Sequence, residues 1–270
     1  MSEKSIRMDR LDNRYIITGE LELLTPMSIS SGKANPETDS PFIRTMNGTV
    51  YIPGSSLRGA FRSTVERILA SLGNTKLTSC ILFEDSTSKI CLAGNKKEKD
   101  NLLKKIEANQ IDEDGIIAEL DSKLCGVCKV FGSTFNISKV RFTDLYPVSG
   151  TTPSVVKRDG VGIDRDTETA VDGAKFDYEV AEKDAQFHFE MIVENVDEAD
   201  MAVLSIGLNE LIRGELWVGG NAAAGLGRCM LNSPTVSRYF TDINSYLESG
   251  YSTNGKISLI TSHLNKFLEV

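Results

Sequence analysis

The sequence predicts an α+β fold in which an antiparallel sheet carries helices on one face. Three observations predict it. Residues 14–24 (RYIITGELELL) and 186–195 (QFHFEMIVEN) alternate apolar and polar side chains, the period of a half-buried strand. Two stretches, from about 55 to 72 and about 197 to 213, carry apolar stripes at helical spacing. The order along the chain is strand, helix, strand, strand, helix, strand, which is the split β-α-β arrangement of ferredoxin-like folds.

Each element has its own justification. In the first strand Ile17, Gly19, Leu21 and Leu23 face one way, and Thr18, Glu20 and Glu22 the other. A loop rich in Ser, Gly, Pro and Asn follows over 28–41. PFIRT and TVYIP then flank Asn47-Gly48, which predicts a two-residue hairpin with positive φ at both turn positions. Ser55 or Ser56 is the expected N-cap of the next helix, whose stripe is Leu57, Phe61, Val65, Ile68 and Leu69. Residues 73–132 read as an insertion with a lysine-rich exposed helix (NKKEKDNLLKKIEANQ), and 137–145 as a strand. Residues 156–180 form a polar, glycine-punctuated excursion ending in a short strand; one this long is either disordered or functional. The second helix carries Met201, Leu204, Leu208, Leu211 and Ile212 on one stripe, and ELWVGGNAAAGLGRCML reads as strand, glycine turn, strand.

The 270 residues, 40% hydrophobic and 25% charged, suit one large domain with insertions. The net charge of −8 argues against a simple nucleic-acid coat, yet leaves room for a local basic track. No apolar run approaches the ~18 residues of a membrane span, so no membrane partner is expected. The first fifteen residues lack the apolar core of a secretory signal. The expected location is therefore cytoplasmic, where thiols stay reduced.

Four features carry candidate chemistry. The glycine loop Gly219–Arg228 fits neither a dinucleotide fingerprint nor a phosphate-binding lysine loop. Its small residues permit close approach of either a phosphate backbone, with Arg228 supplying charge, or a neighbouring helix. The Gly54-Ser55-Ser56-Leu57-Arg58 helix start offers free N–H groups to an anion, with Arg58 and Arg62 one turn apart. Alone this is an ordinary capped helix with a solvated basic face, a reading that weakens once the glycine loop and the basic strand residues Lys139 and Arg141 are counted with it. Cys125 and Cys128 have the C-x-x-C spacing of a zinc knuckle, and Cys80 and Cys91 complete a four-thiolate set. Such a site is structural, since four thiolates leave no open position. A redox pair or four separate thiols are the alternatives; a redox pair needs a strand before it, whereas IIAELDSKL reads as helix. Cys229 reads as a core residue. His188 and His263 have no nearby partner in sequence, so no triad can be argued.

The segments DSPFIRTMNGTVYIPGSSLRGAFRS, CGVCKVFGS, RDGVGIDRDTETAVDGAKFDYEV and GGNAAAGLGR, in this order, together resemble the RAMP superfamily, and more narrowly the repeating backbone subunit of type III CRISPR effector complexes. The resemblance covers about 14–72 and 124–230. It implies a modified ferredoxin-like, RNA-recognition-type palm with a zinc-bearing insertion and a protruding β-hairpin thumb at 156–180. It implies stacking of copies along a guide RNA, with other effector subunits and a complementary target RNA as further partners. The thumb would cross the guide–target duplex and displace a base pair. Ser55, Ser56, Arg58, Arg62, Lys139, Arg141, Lys157, Arg158, Gly220, Gly225 and Arg228 are the expected RNA contacts. Cys80, Cys91, Cys125 and Cys128 would hold structural Zn²⁺. The acid before Ser-Pro, Asp39, is the expected catalytic residue, working with Mg²⁺ or another divalent cation; Glu37 stands two residues away. Members that bind without cutting, and stand-alone guide-processing ribonucleases, are the alternative roles.

Overall fold

A computed structural model describes residues 8–73, 76–80 and 91–268. The parts of the expected insertion at 74–75 and 81–90 lie outside the described residues. The main sheet is antiparallel and runs β2 (Val140–Phe142), β5 (Gln186–Glu194), β1 (Arg14–Leu23), β7 (Arg228–Phe240), β6 (Leu216–Trp217). β8 (Ser252–Lys256) pairs with the far half of β7. A first strand between β5 and β7 fits the ferredoxin-like pattern that the order of elements along the chain predicts. Ile17 lies opposite Met191 on one side and Val236 on the other, and all three are fully buried. Gly19 sits where the β1–β7 register shifts. A Cβ there would come within 2.9 Å of the Asn232 carbonyl, so the gap in the apolar row admits the neighbouring strand.

Helices α1 (Gly54–Leu72) and α5 (Glu198–Ile212) pack together against the sheet. Phe61 of α1 lies directly over Gly207 of α5, where any Cβ would overlap its ring. The same ring meets Phe142 at 5.2 Å and Phe131 at 6.1 Å, tying sheet, helices and insertion into one core. α5 is not the one-sided amphipath its stripe predicts. It is buried nearly all round, because α4 (Gly126–Phe131) covers one flank and the C-terminal turns of 257–268 another. Ser205 Oγ, at the bottom of that contact, donates to the Met201 and Ile260 carbonyls.

Three local expectations need correction. The turn after Thr45 holds three residues, and Gly48 alone has positive φ. Thr45 pairs with Thr49 while the Gly48 N–H returns to the Thr45 carbonyl, the three-residue hairpin form. Neither Ser55 nor Ser56 caps α1: its N-cap is Pro53, without a side-chain bond, and the Gly54 N–H donates instead to Asp144 Oδ1 at 2.8 Å. The strand expected over 137–145 shrinks to Val140–Phe142, because Ser133, Asn136 and Ser138 turn the chain through side-chain hydrogen bonds just before it.

Residues 155–181 form a separate two-stranded hairpin, β3 (Val155–Ile163) with β4 (Ala170–Ala181). The lysine-rich segment is helix α2 (Lys96–Glu107), followed by α3 (Glu113–Lys123). α6 (Ile243–Ser249), α7 (Ser258–Thr261) and α8 (Asn265–Leu268) complete the chain.

Candidate nucleic-acid interface and metal centre

The hairpin presents two chemically different faces, because residues opposite each other in the ladder share a face. Lys157 pairs with Glu179, Asp159 with Asp177 and Val161 with Lys175. On the other face Arg158 pairs with Tyr178 and Gly160 with Phe176. Phe176 and Tyr178 stack with centroids 6.1 Å apart. Phe176 lies across Gly160, where a Cβ would come within 2.4 Å of the ring. Val161, Ile163, Val171 and Phe176 are all exposed, and Arg158 makes no ion pair among the described residues. At the tip the Asp164 carboxylate accepts from the Asp166 and Thr167 N–H groups and the Thr167 hydroxyl.

The charged face receives the loop that carries Asp39. That loop is built on Asn35, whose Oδ1 accepts the Glu37 and Thr38 N–H groups. It then docks on β4: the Glu179 N–H donates to the Ser40 carbonyl at 3.0 Å, and the Phe42 N–H donates to Glu179 Oε2 at 2.8 Å. Arg44 closes on the same carboxylate at 2.6 Å. Asp39 is exposed and joined reciprocally to Asp177. The Asp39 N–H donates to Asp177 Oδ1 at 2.8 Å, and the Asp177 N–H donates to Asp39 Oδ2 at 3.1 Å. Lys157 Nζ lies 2.6 Å from Asp177 Oδ2 and donates to the Glu37 carbonyl at 2.7 Å. That ammonium, the Thr38 hydroxyl and the Asp39 N–H together lower the Asp177 carboxyl to about 2. Asp177 and Lys157 are thus neighbours of Asp39 across 118 or more residues of sequence; β-alternation in 170–181 puts Asp177 and Glu179 on one face, but nothing local says which loop lands there. Glu37 meets Lys157 through its carbonyl only. Beside this site an open groove of about 560 Å³ runs between the Thr45–Thr49 turn and the 146–155 loop.

The basic residues expected to line a groove each take a partner within the protein. Arg58 donates to the Phe131 carbonyl and lies 6.0 Å from that ring's centroid. Arg62 pairs with Glu66 at 2.8 Å and donates to the Gly132 carbonyl and to Cys128 Sγ, both at the long end of hydrogen bonding. Both arginines therefore bridge α1 to α4. Lys139 is buried, 2.5 Å from the equally buried Asp200, and presents nothing to solvent. Arg141 is half-exposed and shares Glu194 with Arg14. Arg228 donates to the Gly214 carbonyl and pairs with Glu215 at 2.8 Å, at the rim of the glycine loop.

Within that loop the glycines divide into two kinds. At Gly219 and Gly227, both with positive φ, a Cβ would come within 2.4 Å of the Ser28 carbonyl and 2.1 Å of the Val218 carbonyl. The close partner is therefore the chain's own backbone, not a helix. Gly220 and Gly225 border open space, and Asn221–Gly225 is fully exposed as a ledge of small side chains. Ser55 and Ser56 lie in the first turn of α1, Ser55 exposed and Ser56 half-buried. His188 stands exposed on β5, and His263 lies 3.9 Å from Glu198.

The four cysteines do converge. Their sulfurs lie within 4.8 Å of one another, with Cys80 and Cys128 at 3.7 Å and Cys80 and Cys91 at 3.5 Å. Disulfide sulfurs sit about 2.05 Å apart, so these are not bonded pairs. Four thiolates about 2.3 Å from a tetrahedral zinc ion stand roughly 3.8 Å apart, which matches. Cys125 is the N-cap of α4 and its sulfur accepts the Cys128 N–H at 3.4 Å. The Gly126 and Val127 N–H groups bond Thr78, which fixes the knuckle against the strand of chain leading to Cys80. The helical reading of the segment before C-x-x-C holds, since α3 ends at Lys123. Contact with Cys125, then with Cys80 and Cys91, pushes the Cys128 thiol up. Packed sulfurs cannot all ionise without a cation, and a divalent ion supplies what this donor set lacks. Cys229 is buried under β6, its thiol pushed up to about 12 by burial, a core residue.

No described helix is long and apolar enough to cross a membrane. A search of curated proteins finds no significant match. A family profile, that of the RAMP superfamily, matches residues 20–230, from the end of β1 through the Asp39 loop, the cysteine knuckle, the hairpin and the glycine loop. The chain belongs to the RAMP superfamily, a family of CRISPR-associated RNA-binding proteins.

Proposed function

We propose that this chain is the guide-RNA-binding backbone subunit of a type III CRISPR interference complex, and that it cleaves complementary target RNA beside Asp39. The observation that supports the reading most is the position of Asp39, an exposed carboxylate at the root of a protruding hairpin. The hairpin's free face carries Phe176, Tyr178 and Arg158, the chemistry that receives an unstacked base. Once a nucleotide leaves the stack, its sugar can turn its 2′-OH in line with the adjacent phosphorus. Orientation of that kind supplies several orders of magnitude of rate. The 2′-oxygen then bonds to phosphorus, the bond to the 5′-oxygen breaks, that oxygen takes a proton from solvent water, and the products are a 2′,3′-cyclic phosphate and a 5′-hydroxyl.

Asp39 accepts the 2′-OH proton in this scheme. Among the described residues no group of three carboxylates or imidazoles closes around Asp39. A Mg²⁺ or similar ion there would take Asp39 as its protein ligand and RNA phosphate and water for the rest, adding charge stabilisation at the phosphate. Guide contacts fall to the exposed or half-buried groups: Ser55, Ser56, Arg141, Lys157, Arg158, Gly220, Gly225 and Arg228. Arg58, Arg62 and Lys139 serve the core instead. Base pairing, not the protein, reads the target sequence.

The test is the complex assembled with Asp39→Ala. Cleavage of complementary RNA falls at least ~10²-fold while target affinity is unchanged. Undiminished cutting refutes the assignment and places the cleavage at another residue or in another subunit.

A further inference from the structure

The hairpin and the Asp39 loop share one joint, and that joint is Asp177. We propose that Asp177 is the positioning residue for Asp39, held in turn by Lys157, so that the hairpin sets where the carboxylate stands. This rests on the Asp39 reading above.

The loop has little else to fix its outer end. Its Asn35 turn is internal, and Glu179 secures Ser40, Phe42 and Arg44 on the far side of Asp39. Asp39 itself is tied by the two reciprocal bonds with Asp177 alone. Both bonds use backbone N–H groups, so they fix where the Asp39 main chain lies as well as one carboxylate oxygen. The second oxygen, Oδ1, has no partner among the described residues. It is therefore the one left to meet RNA.

Placing a second carboxylate beside Asp39 is costly unless a cation offsets it, since neighbouring like charges disfavour ionisation. Lys157 is that cation, 2.6 Å from Asp177 Oδ2. It also donates to the Glu37 carbonyl, which brackets Asp39 from the N-terminal side. With Asp177 titrating near 2, the clamp remains charged at any working pH. Lys157 belongs to β3 and Asp177 to β4, so both strands hold the loop.

The experiment uses the assembled guide-RNA complex with Asp177→Ala, Asp177→Asn and Asp39→Ala. Single-turnover cleavage and target affinity are measured, together with amide exchange of 35–42 in the free protein. Asp177→Ala should slow cleavage ~10- to 100-fold, the effect of ~1 Å of misplacement, leave affinity unchanged, and speed exchange at the Asp39 amide. Asp177→Asn keeps an acceptor oxygen for that N–H and should recover most of the rate. Equal loss in both variants, or no loss in Asp177→Ala, overturns the positioning role. If Asp39→Ala cuts normally, the catalytic reading fails, and exchange at 35–42 in Asp177→Ala still decides whether the clamp exists.

Discussion

The cysteine knuckle and the hairpin site are both held by side chains from distant parts of the chain, and they obey opposite rules. At the knuckle, polar groups leave water: four sulfurs face one another, three of the cysteines buried and Cys91 half-buried. At the hairpin, Asp39 and Lys157 are exposed and Asp177 half-buried, and ion pairs so close to water contribute little stability. Burial makes the first region expensive to alter and exposure makes the second free to react. The difference teaches that one fold can pack a cluster of sulfurs into its interior and leave a cluster of charges open to a ligand.

Three predictions can break that comparison, in order of size. Cys128→Ser, or a strong chelator, should release bound zinc and lower Tm by about 10 °C or more, because removing one thiolate opens the closed site. Elemental analysis with calorimetry checks it; a protein that holds no zinc and melts unchanged refutes the metal centre. Lys139→Met should be almost as severe. It leaves Asp200 buried without its cation, a loss of about 3–5 kcal/mol, and denaturant unfolding reads it. Loss of RNA affinity without loss of stability would restore Lys139 to an RNA-facing role. Arg158→Ala should be smallest, within about 0.5 kcal/mol in stability. Its effect should appear as a guide-affinity salt slope shallower by about 1.

The contrast also explains what the sequence disclosed. Sheet order was readable because β1 and β5 alternate strictly, and a half-buried strand admits one register. The four cysteines were readable because metal geometry constrains spacing. The basic groove was not. Arg58, Arg62 and Lys139 look like free cations in sequence, and only tertiary packing reveals Phe131, Cys128 and Asp200 as their partners. Asp177 stayed hidden for the complementary reason: in a run of mixed charges, nothing local distinguishes the acid that meets Asp39 itself. The full burial of α5 was illegible because its cover comes from 257–268, a segment with no signal of its own. Likewise Asp144, at the end of a loop after β2, took the capping role that Ser55 and Ser56 advertise.

A target RNA carrying one 2′-deoxy nucleotide at a cleavage position tests the central claim most directly, because that claim assigns the nucleophile to the substrate and only a carboxylate to the protein. The complex should bind this RNA normally, leave that position intact, and still cut its ribose-containing positions to 2′,3′-cyclic phosphate ends. Cutting at the deoxy position at the normal rate would contradict the account.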